Sequence, residues 1–356
     1  MTPDGLATKF SIAAPFVGLA LLVASWGSTP TAFAAILLVG VHVALVMVSV
    51  GHAEAIAHRV GEPFGTLVLA LAVTVIEVSL VVTLMVSEGA KAATLARDTV
   101  FAAIMIVCNG IVGLAIVVRA RRRHVVKFSE QGANALLGTV ITITTLSLVL
   151  PTFTTSTTGG TFSASQFAFA AVAAASVYGV FVFVQTVSHR WMFLAPEALH
   201  DEANDEFAHV SPHEARVGRV EGLIPRIGLL VMGLAGVVGL AKTLAPRIED
   251  AVVWAGAPQA FVGVVIALMI LLPESIAAIR AANRGEMQTS LNLSLGSALA
   301  SIGLTIPAIA VASIWLDGPI ILGLGGKEIV LLVLTAAVGA LTFGSGQATV
   351  LQGAQH

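Results

Sequence analysis

The stretch GEPFGTLVLALAVTVIEVSLVVTLMVSEG, from Gly61 to Gly89, decides the fold. From Phe64 to Ser87 it is apolar and long enough to cross a bilayer, since about 20 apolar residues make one helical span. Glu77 sits near its middle. A carboxylate at that depth costs about 2.5 to 3.5 kcal/mol on insertion scales, so an ionisable group retained there marks a function. A second stretch, FVGVVIALMILLPESIAAIRAANRGE from Phe261 to Glu286, repeats the theme with Glu274. The rest of the chain reads as a scaffold that holds these two carboxylates together inside a membrane.

Composition supports that reading. The chain has 356 residues, 57% of them hydrophobic and 11% charged. A soluble domain carries about 25% charged residues, so this chain lacks the means to cover a water-facing surface. It is read as an all-α polytopic membrane protein. A net charge of −2 is not the basic footprint of a nucleic-acid binder. The only cysteine, Cys108, lies in an apolar run, which excludes a disulfide framework and a cysteine-based metal site. Met1 to Phe10 has neither a basic cluster nor a small-residue cleavage site, so the first apolar segment is expected to be a retained helix.

Ten apolar segments follow, at about 11–26, 31–51, 64–87, 99–118, 132–151, 166–187, 223–245, 255–279, 289–314 and 327–345. Lys and Arg orient them, because cytoplasmic loops collect positive charge. With the N-terminus inside, 13 basic residues fall on the cytoplasmic side against 5 outside. The loop TFTTSTTGGTFSAS after Pro151 is uncharged, as an external loop can be. One hydrophilic stretch, Pro196 to Gly222, holds seven of the twenty acidic residues together with His200, His209 and His213. It reads as a cytosolic linker, with a cation-attracting or regulatory segment as the sharper alternative. The domain division is therefore an N-terminal helix over 1–30, a first transmembrane repeat over 31–195, the acidic loop over 196–222 and a second repeat over 223–356.

The two repeats correspond. In each, a helix with a central Glu is followed by a short polar loop and then a helix rich in small and polar residues. The threading runs Glu77 from inside to outside and Glu274 from outside to inside, so the repeats are inverted. Secondary transporters use that arrangement for alternating access around a midplane site.

The residues around the two carboxylates suggest oxygen ligands. Thr66, Ala70 and Thr74 share the helix face of Glu77, at eleven, seven and three residues' distance. Pro273 precedes Glu274. It has no N–H to offer the carbonyl of Met269 four residues back, and a freed carbonyl beside a carboxylate suits a hard cation. In the ninth segment Ser290, Ser294, Ser297, Ser301 and Thr305 form a hydroxyl ladder, a pattern that also serves helix packing. Asn109, mid-helix in CNGIVG, is a candidate ligand or orienting group, while Asn292 lies off the ladder. His52 and His58 are six residues apart, about 240° around a helix, whereas the zinc signature HExxH needs four. The segment GHAEAIAHR instead reads as an amphipathic continuation of the second span at the cytoplasmic surface.

Charge arithmetic suggests a mechanism. Two carboxylates in a poorly hydrated cavity repel and are desolvated, so two protons or one divalent cation can neutralise them, in competition. If the site turns only when neutralised, obligate cation/proton exchange results. Carboxylate, carbonyl and hydroxyl ligands suit Ca2+, Na+ or K+ over soft metals.

The run Ala53, Glu54, Ala57, Gly61, Gly65, Leu67 and then Glu77 resembles the first alpha repeat of the calcium/cation antiporter superfamily. LAVTVIEVSL and LLPESIAAIRAANRGEMQTSLNLSLGSALASIGLTIP are similar to its bacterial calcium/proton antiporter branch, the ChaA type. The resemblance implies one leading helix plus two inverted five-helix repeats, with Ca2+, and in this branch Na+ or K+, exchanged for protons. It maps the paired acids onto Glu77 and Glu274, and a further acid, at the cytoplasmic entrance, onto Glu54. Asn109 matches a polar residue of the fourth helix, and Ser297 and Ser301 match the ninth. Two departures stand out. The family's Gly-Asn pair before each Glu is replaced by Val73-Thr74 and Ile270-Leu271, which widens the expected substrates towards Na+ and K+. The family's eleventh helix is expected to be missing after VLQGAQH.

The expectation is thus an inner-membrane cation/proton antiporter with a cytoplasmic N-terminus and no enzymatic activity or cofactor. Its partners are the lipid bilayer and inorganic cations. Its cation- and proton-binding residues are Glu77, Glu274, Thr74, Met269, Asn109, Ser297 and Ser301, with Glu77 and Glu274 as metal ligands. Alternatives are a Na+(K+)/H+ antiporter with little Ca2+ activity and a passive cation channel. An intramembrane hydrolase lacks a supporting motif in the spans.

Overall fold

Wherever an apolar run of the sequence is described, it is helix. The computed structural model describes residues 3–60, 74–79, 81–83, 85–86, 93–194, 222–258, 260–315 and 318–356. The helices are α1 (Pro3–Ser25), α2 (Ala32–Val60), α3 (Thr74–Thr83), α4 (Leu95–Arg123), α5 (Glu130–Phe153), α6 (Ala164–Ser188), α7 (Leu223–Trp254), α8 (Ala260–Arg284), α9 (Met287–Ala312) and α10 (Gly326–Phe343). A strand β1 (Val125–Lys127) follows α4, and β2 (Gln347–Thr349) with the short α11 (Val350–Gln355) follows α10. Among the described residues, seven helices are long and apolar enough to cross a membrane, or eight if the two parts of α8 make one span. The protein is a multi-pass membrane protein. The acidic stretch over 196–222 lies outside the described residues except for Gly222.

The helices form two compact units, Met1–Ala92 with Ser211–Pro273, and Ala93–Val210 with Glu274–His356. Each draws on both sides of the acidic stretch. In the first unit α2 packs against α1 and α7. Lipid supplies no hydrophobic drive between helices, so small residues that let backbones approach govern such contacts. Here Gly18 and Gly236 flank the Leu45 side chain, Gly233 faces the Ser49 hydroxyl and Gly239 faces Leu22. At one end of this trio the Arg247 Nε donates to the Pro30 carbonyl at 2.7 Å. At the other, the His52 ring bonds the Ser11 carbonyl at 3.1 Å.

That contact corrects the surface reading of GHAEAIAHR. His52 is fully buried, and Ala53 and Ile56 pack with Leu230 of α7. The helix does continue to Val60, but its polar His52 finds a carbonyl on α1 instead of water.

The second unit is built on α9, which packs against α4, α5 and α6 and carries a broad buried face that includes Leu291, Leu295, Ala298, Ile302 and Ile306. Hydrogen bonds tie the loops at each end. At one end the Ile321 N–H donates to Ala93 O at 2.9 Å, Gly323 N–H to Gly160 O at 2.7 Å and Leu324 N–H to Leu148 O at 2.8 Å. Gly160 has φ +72°, and Gly323 lies so close to it that a side chain on either would collide with the other's backbone. At the opposite end the Gln288 side chain accepts from Ser129 N–H at 2.7 Å and donates to Asn292 at 2.9 Å, and Asn292 donates to Phe193 O at 2.7 Å. There β1 pairs antiparallel with β2, Val126 opposite Ala348. Within this unit, successive helices therefore alternate in direction, with the uncharged 154–163 loop and the Arg-rich end of α4 at opposite ends.

Candidate functional site

Glu77 lies on α3 and is 3% exposed. Thr74, one turn earlier on the same face, is also buried. The hydroxyl thus accompanies the carboxylate as the spacing predicts; Thr66 and Ala70 lie outside the described residues. Neither Glu77 nor Thr74 is isolated, for both engage other groups of the protein.

Glu274 is 8% exposed and opens the second half of α8. The helix is broken into Phe261–Leu272 and Glu274–Arg284, at the proline that lacks the N–H an unbroken ladder requires. The boundary between the two compact units falls at the same peptide, Pro273 before Glu274. Met269 is half-buried on the first half of α8, and Glu274 also engages other groups. Both carboxylates, then, are withdrawn from solvent on apolar helices, one in each unit.

The hydroxyl ladder of α9 is buried at Ser290, Ser294, Ser301 and Thr305, and half-buried at Ser297. Ser294 donates back to the Ser290 carbonyl at 2.7 Å, the local bond that small hydroxyls make in a helix. Because the buried ladder residues share α9's broad buried face with apolar side chains such as Leu291 and Leu295, burial alone does not single out the ladder as a lining. Asn109 is half-buried in α4, and its amide donates to Thr335 Oγ1 of α10 at 3.0 Å and to Met105 O at 3.2 Å. Thr335 in turn donates to Leu331 O at 2.9 Å. Asn109 therefore joins α4 to α10. The Glu54 side chain lies outside the described residues.

Among the described residues no group of three or more His, Cys, Asp or Glu side chains could hold a metal ion. The carboxylate, hydroxyl, amide and carbonyl oxygens of the candidate residues are the donor types that suit a hard ion. Sequence reasoning missed Thr335 and the buried His42. Each is a polar residue flanked by apolar ones within a helix, and that pattern was the available signal.

Comparison with known proteins bears on this arrangement. The sequence profile described as sodium/calcium exchanger protein matches residues 31–187 and 226–356. The chain is 44% identical over 311 residues to a putative ionic transporter, y4hA, of Sinorhizobium fredii, covering 87% of this chain and 82% of the relative. It is 33% identical over 339 residues to the sodium-potassium/proton antiporter ChaA of Escherichia coli, covering 93% and 88%. The fold is similar to that of the H+/Ca2+ exchanger CAX, with a TM-score of 0.68 at 14% identity over 99% of this chain and 86% of the other. It is also similar to that of YfkE, with a TM-score of 0.62 at 15% identity over 98% and 95%.

Proposed function

The chain belongs to the sodium/calcium exchanger protein family, a family of membrane cation exchangers, and from that premise we propose that it exchanges Ca2+ for protons by alternating access across the inner membrane. One observation carries the proposal: Glu77 and Glu274 are almost wholly withdrawn from solvent on apolar helices. Charges in such places are retained for ion or proton handling. Protons and cation compete for these two carboxylates, and the protein turns over only when one or the other has neutralised them. Thr74, the Met269 carbonyl, Asn109, Ser297 and Ser301 supply further oxygens, and Glu54 stands at the cytoplasmic entrance. The ten-span threading with two inverted repeats and a cytoplasmic N-terminus belongs to this proposal.

A second reading, Na+ or K+ exchanged for protons with little Ca2+ transport, is favoured by the 33% identical relative, a sodium-potassium/proton antiporter. Thr74 and Leu271, standing where the superfamily pattern has Asn, point the same way.

Proteoliposomes holding the full chain and an internal pH dye decide between these readings. Ca2+, Na+ and K+ are added in turn over a range of pH. Proton movement driven by Ca2+ supports the first reading, and movement driven only by Na+ or K+ supports the second. Cation flux with no proton movement makes the protein a passive channel, and silence towards all three ions rejects the proposal.

A further inference from the structure

Helix α4 is interrupted. Over Ile106–Ile111 it widens into a π-turn, and at the edge of that turn the Val112 N–H reaches the carbonyls of Val107 and Asn109. The Cys108 carbonyl between them is passed over. A π-turn is an α-helix with one extra residue, and one residue re-phases everything beyond it by about 100°. The arrangement therefore depends on a donor for the carbonyl it strands, because a buried backbone oxygen left unpaired is costly.

That donor arrives from the far end of the chain. His356 Nδ1 lies 2.9 Å from the Cys108 oxygen. A carbonyl only accepts, so Nδ1 carries the hydrogen and Nε2 is left as an acceptor. Thr342 Oγ1 stands 3.1 Å from Nε2, and its hydroxyl donates. The imidazole is stacked on Phe343, with 6.0 Å between ring centroids, and Phe343 meets the edge of Phe128 at 5.8 Å.

Two glycines admit the segment that delivers the ring. A methyl group on Gly113 would sit 2.8 Å from the Gly353 carbonyl and equally close to His356 Cβ. Pairing of β2 with β1 sets the register just before it.

The elements around the ring present the Cys108 thiol and the Thr342 hydroxyl. Their charged residues nearest this end, Lys127 of β1, Glu130 of α5 and Arg121, Arg122 and Arg123 of α4, are exposed; Arg119 is partly buried. None of these ion-pairs with the imidazole. Burial lowers the His356 pKa below the usual histidine value, with the Cys108 carbonyl acting the other way, in keeping with a neutral ring that donates from one nitrogen and accepts at the other.

The residue next to the stranded carbonyl is Asn109, which lies within the π-turn and whose amide reaches Thr335 of α10. We propose that His356 is a positioning residue for cation exchange, its imidazole pairing the carbonyl that the π-turn of α4 strands and so holding Asn109 in register against α10. The inference rests on the exchange reading above and deepens it, since Asn109 is among the oxygens assigned to the ion.

Cys108 is the only cysteine in the chain and is 2% exposed, which makes it a reporter of the turn. The test uses the full chain in proteoliposomes and follows both N-ethylmaleimide labelling of Cys108 and cation-driven proton movement. The variants are His356→Ala, His356→Asn, His356→Gln and Thr342→Val. Asn places an amide donor close to the position of Nδ1–H, whereas Gln does not. His356→Ala should label about tenfold faster than the natural protein, the size expected when a buried hydrogen bond is lost and the site opens locally, and exchange about tenfold more slowly. His356→Asn should recover most of both, His356→Gln little of either. Thr342→Val, which keeps the bond to Cys108, should shift both by about threefold.

Labelling of His356→Ala at the natural rate would overturn the inference. So would equal behaviour of the Ala, Asn and Gln variants, or faster labelling with exchange unaltered. A natural protein that moves no protons with any cation would instead defeat the exchange reading, and the labelling rates would still decide whether His356 holds the turn.

Discussion

In the unit around α1, α2 and α7, close contacts run through glycine: Leu45 against Gly18 and Gly236, Ser49 against Gly233, Leu22 against Gly239. The unit around α9 has such glycine contacts too, Gly303 against Tyr178 and Gly339 against Leu137. To bonds like Arg247 to Pro30 and His52 to Ser11 of the first unit, however, it adds a longer series between distant segments, such as Asn109 to Thr335 and Asn292 to Phe193. The π-turns among the described residues, at Ile106–Ile111, Thr145–Val149 and Val184–Ser188, all belong to this second unit. The two facts are connected. A π-turn releases carbonyls, and this unit supplies donors for them: His356 to Cys108, and the Leu324 N–H to Leu148. Directional bonds specify one arrangement. Packing of side chains against glycine specifies closeness and tolerates small sliding shifts, the shear by which packed helices move. Glycine contacts are common to both units, and the π-turns with their donors mark the second.

The largest expected effect tests whether both units share the chemistry. Glu77→Gln in the first and Glu274→Gln in the second keep shape and remove charge. Each should lower cation-driven proton movement by about 100-fold or more with expression and fold intact. Full transport in either variant would take that carboxylate out of the ion path and leave the function in one unit.

An intermediate effect probes the glycine contacts. Gly233→Val drives two methyl groups towards the Ser49 hydroxyl and should cost about 1–3 kcal/mol, read as a fall in the thermal unfolding midpoint. Gly138→Ala on α5, where no atom lies within 4 Å of the added carbon, should be neutral or stabilising by up to about 1 kcal/mol. Equal losses at both positions would erase the distinction.

The smallest effect concerns the polar ties. Asn292→Ala removes the bond to Phe193 O and should cost about 0.5–1.5 kcal/mol of stability while leaving the ion dependence of exchange unaltered. A changed ion preference would move Asn292 from the scaffold into the ion path.

Much of this arrangement can be read along the chain. The apolar runs mark the helices, Thr74 accompanies Glu77 one turn away, and Pro273 breaks α8 where its missing N–H says it must. These features depend on neighbours within a few residues. The burial of His52 does not follow from the local pattern, because an Ala-rich run with two histidines resembles a surface helix until α1 supplies the Ser11 carbonyl. Thr335 and His356 went unnoticed for a related reason: their partners, Asn109 and Cys108, stand more than 200 residues away.

The sequence by itself determined that this chain crosses a membrane many times and carries two carboxylates in apolar stretches. Hydropathy and the cost of a charge in hydrocarbon are sums over adjacent residues, open to a linear reading. Only the tertiary structure decided where α4 gains an extra residue per turn, which carbonyl that strands, and that His356 pairs it. A stranded carbonyl is tolerated only where another segment brings a donor, and no local pattern records which segment that will be.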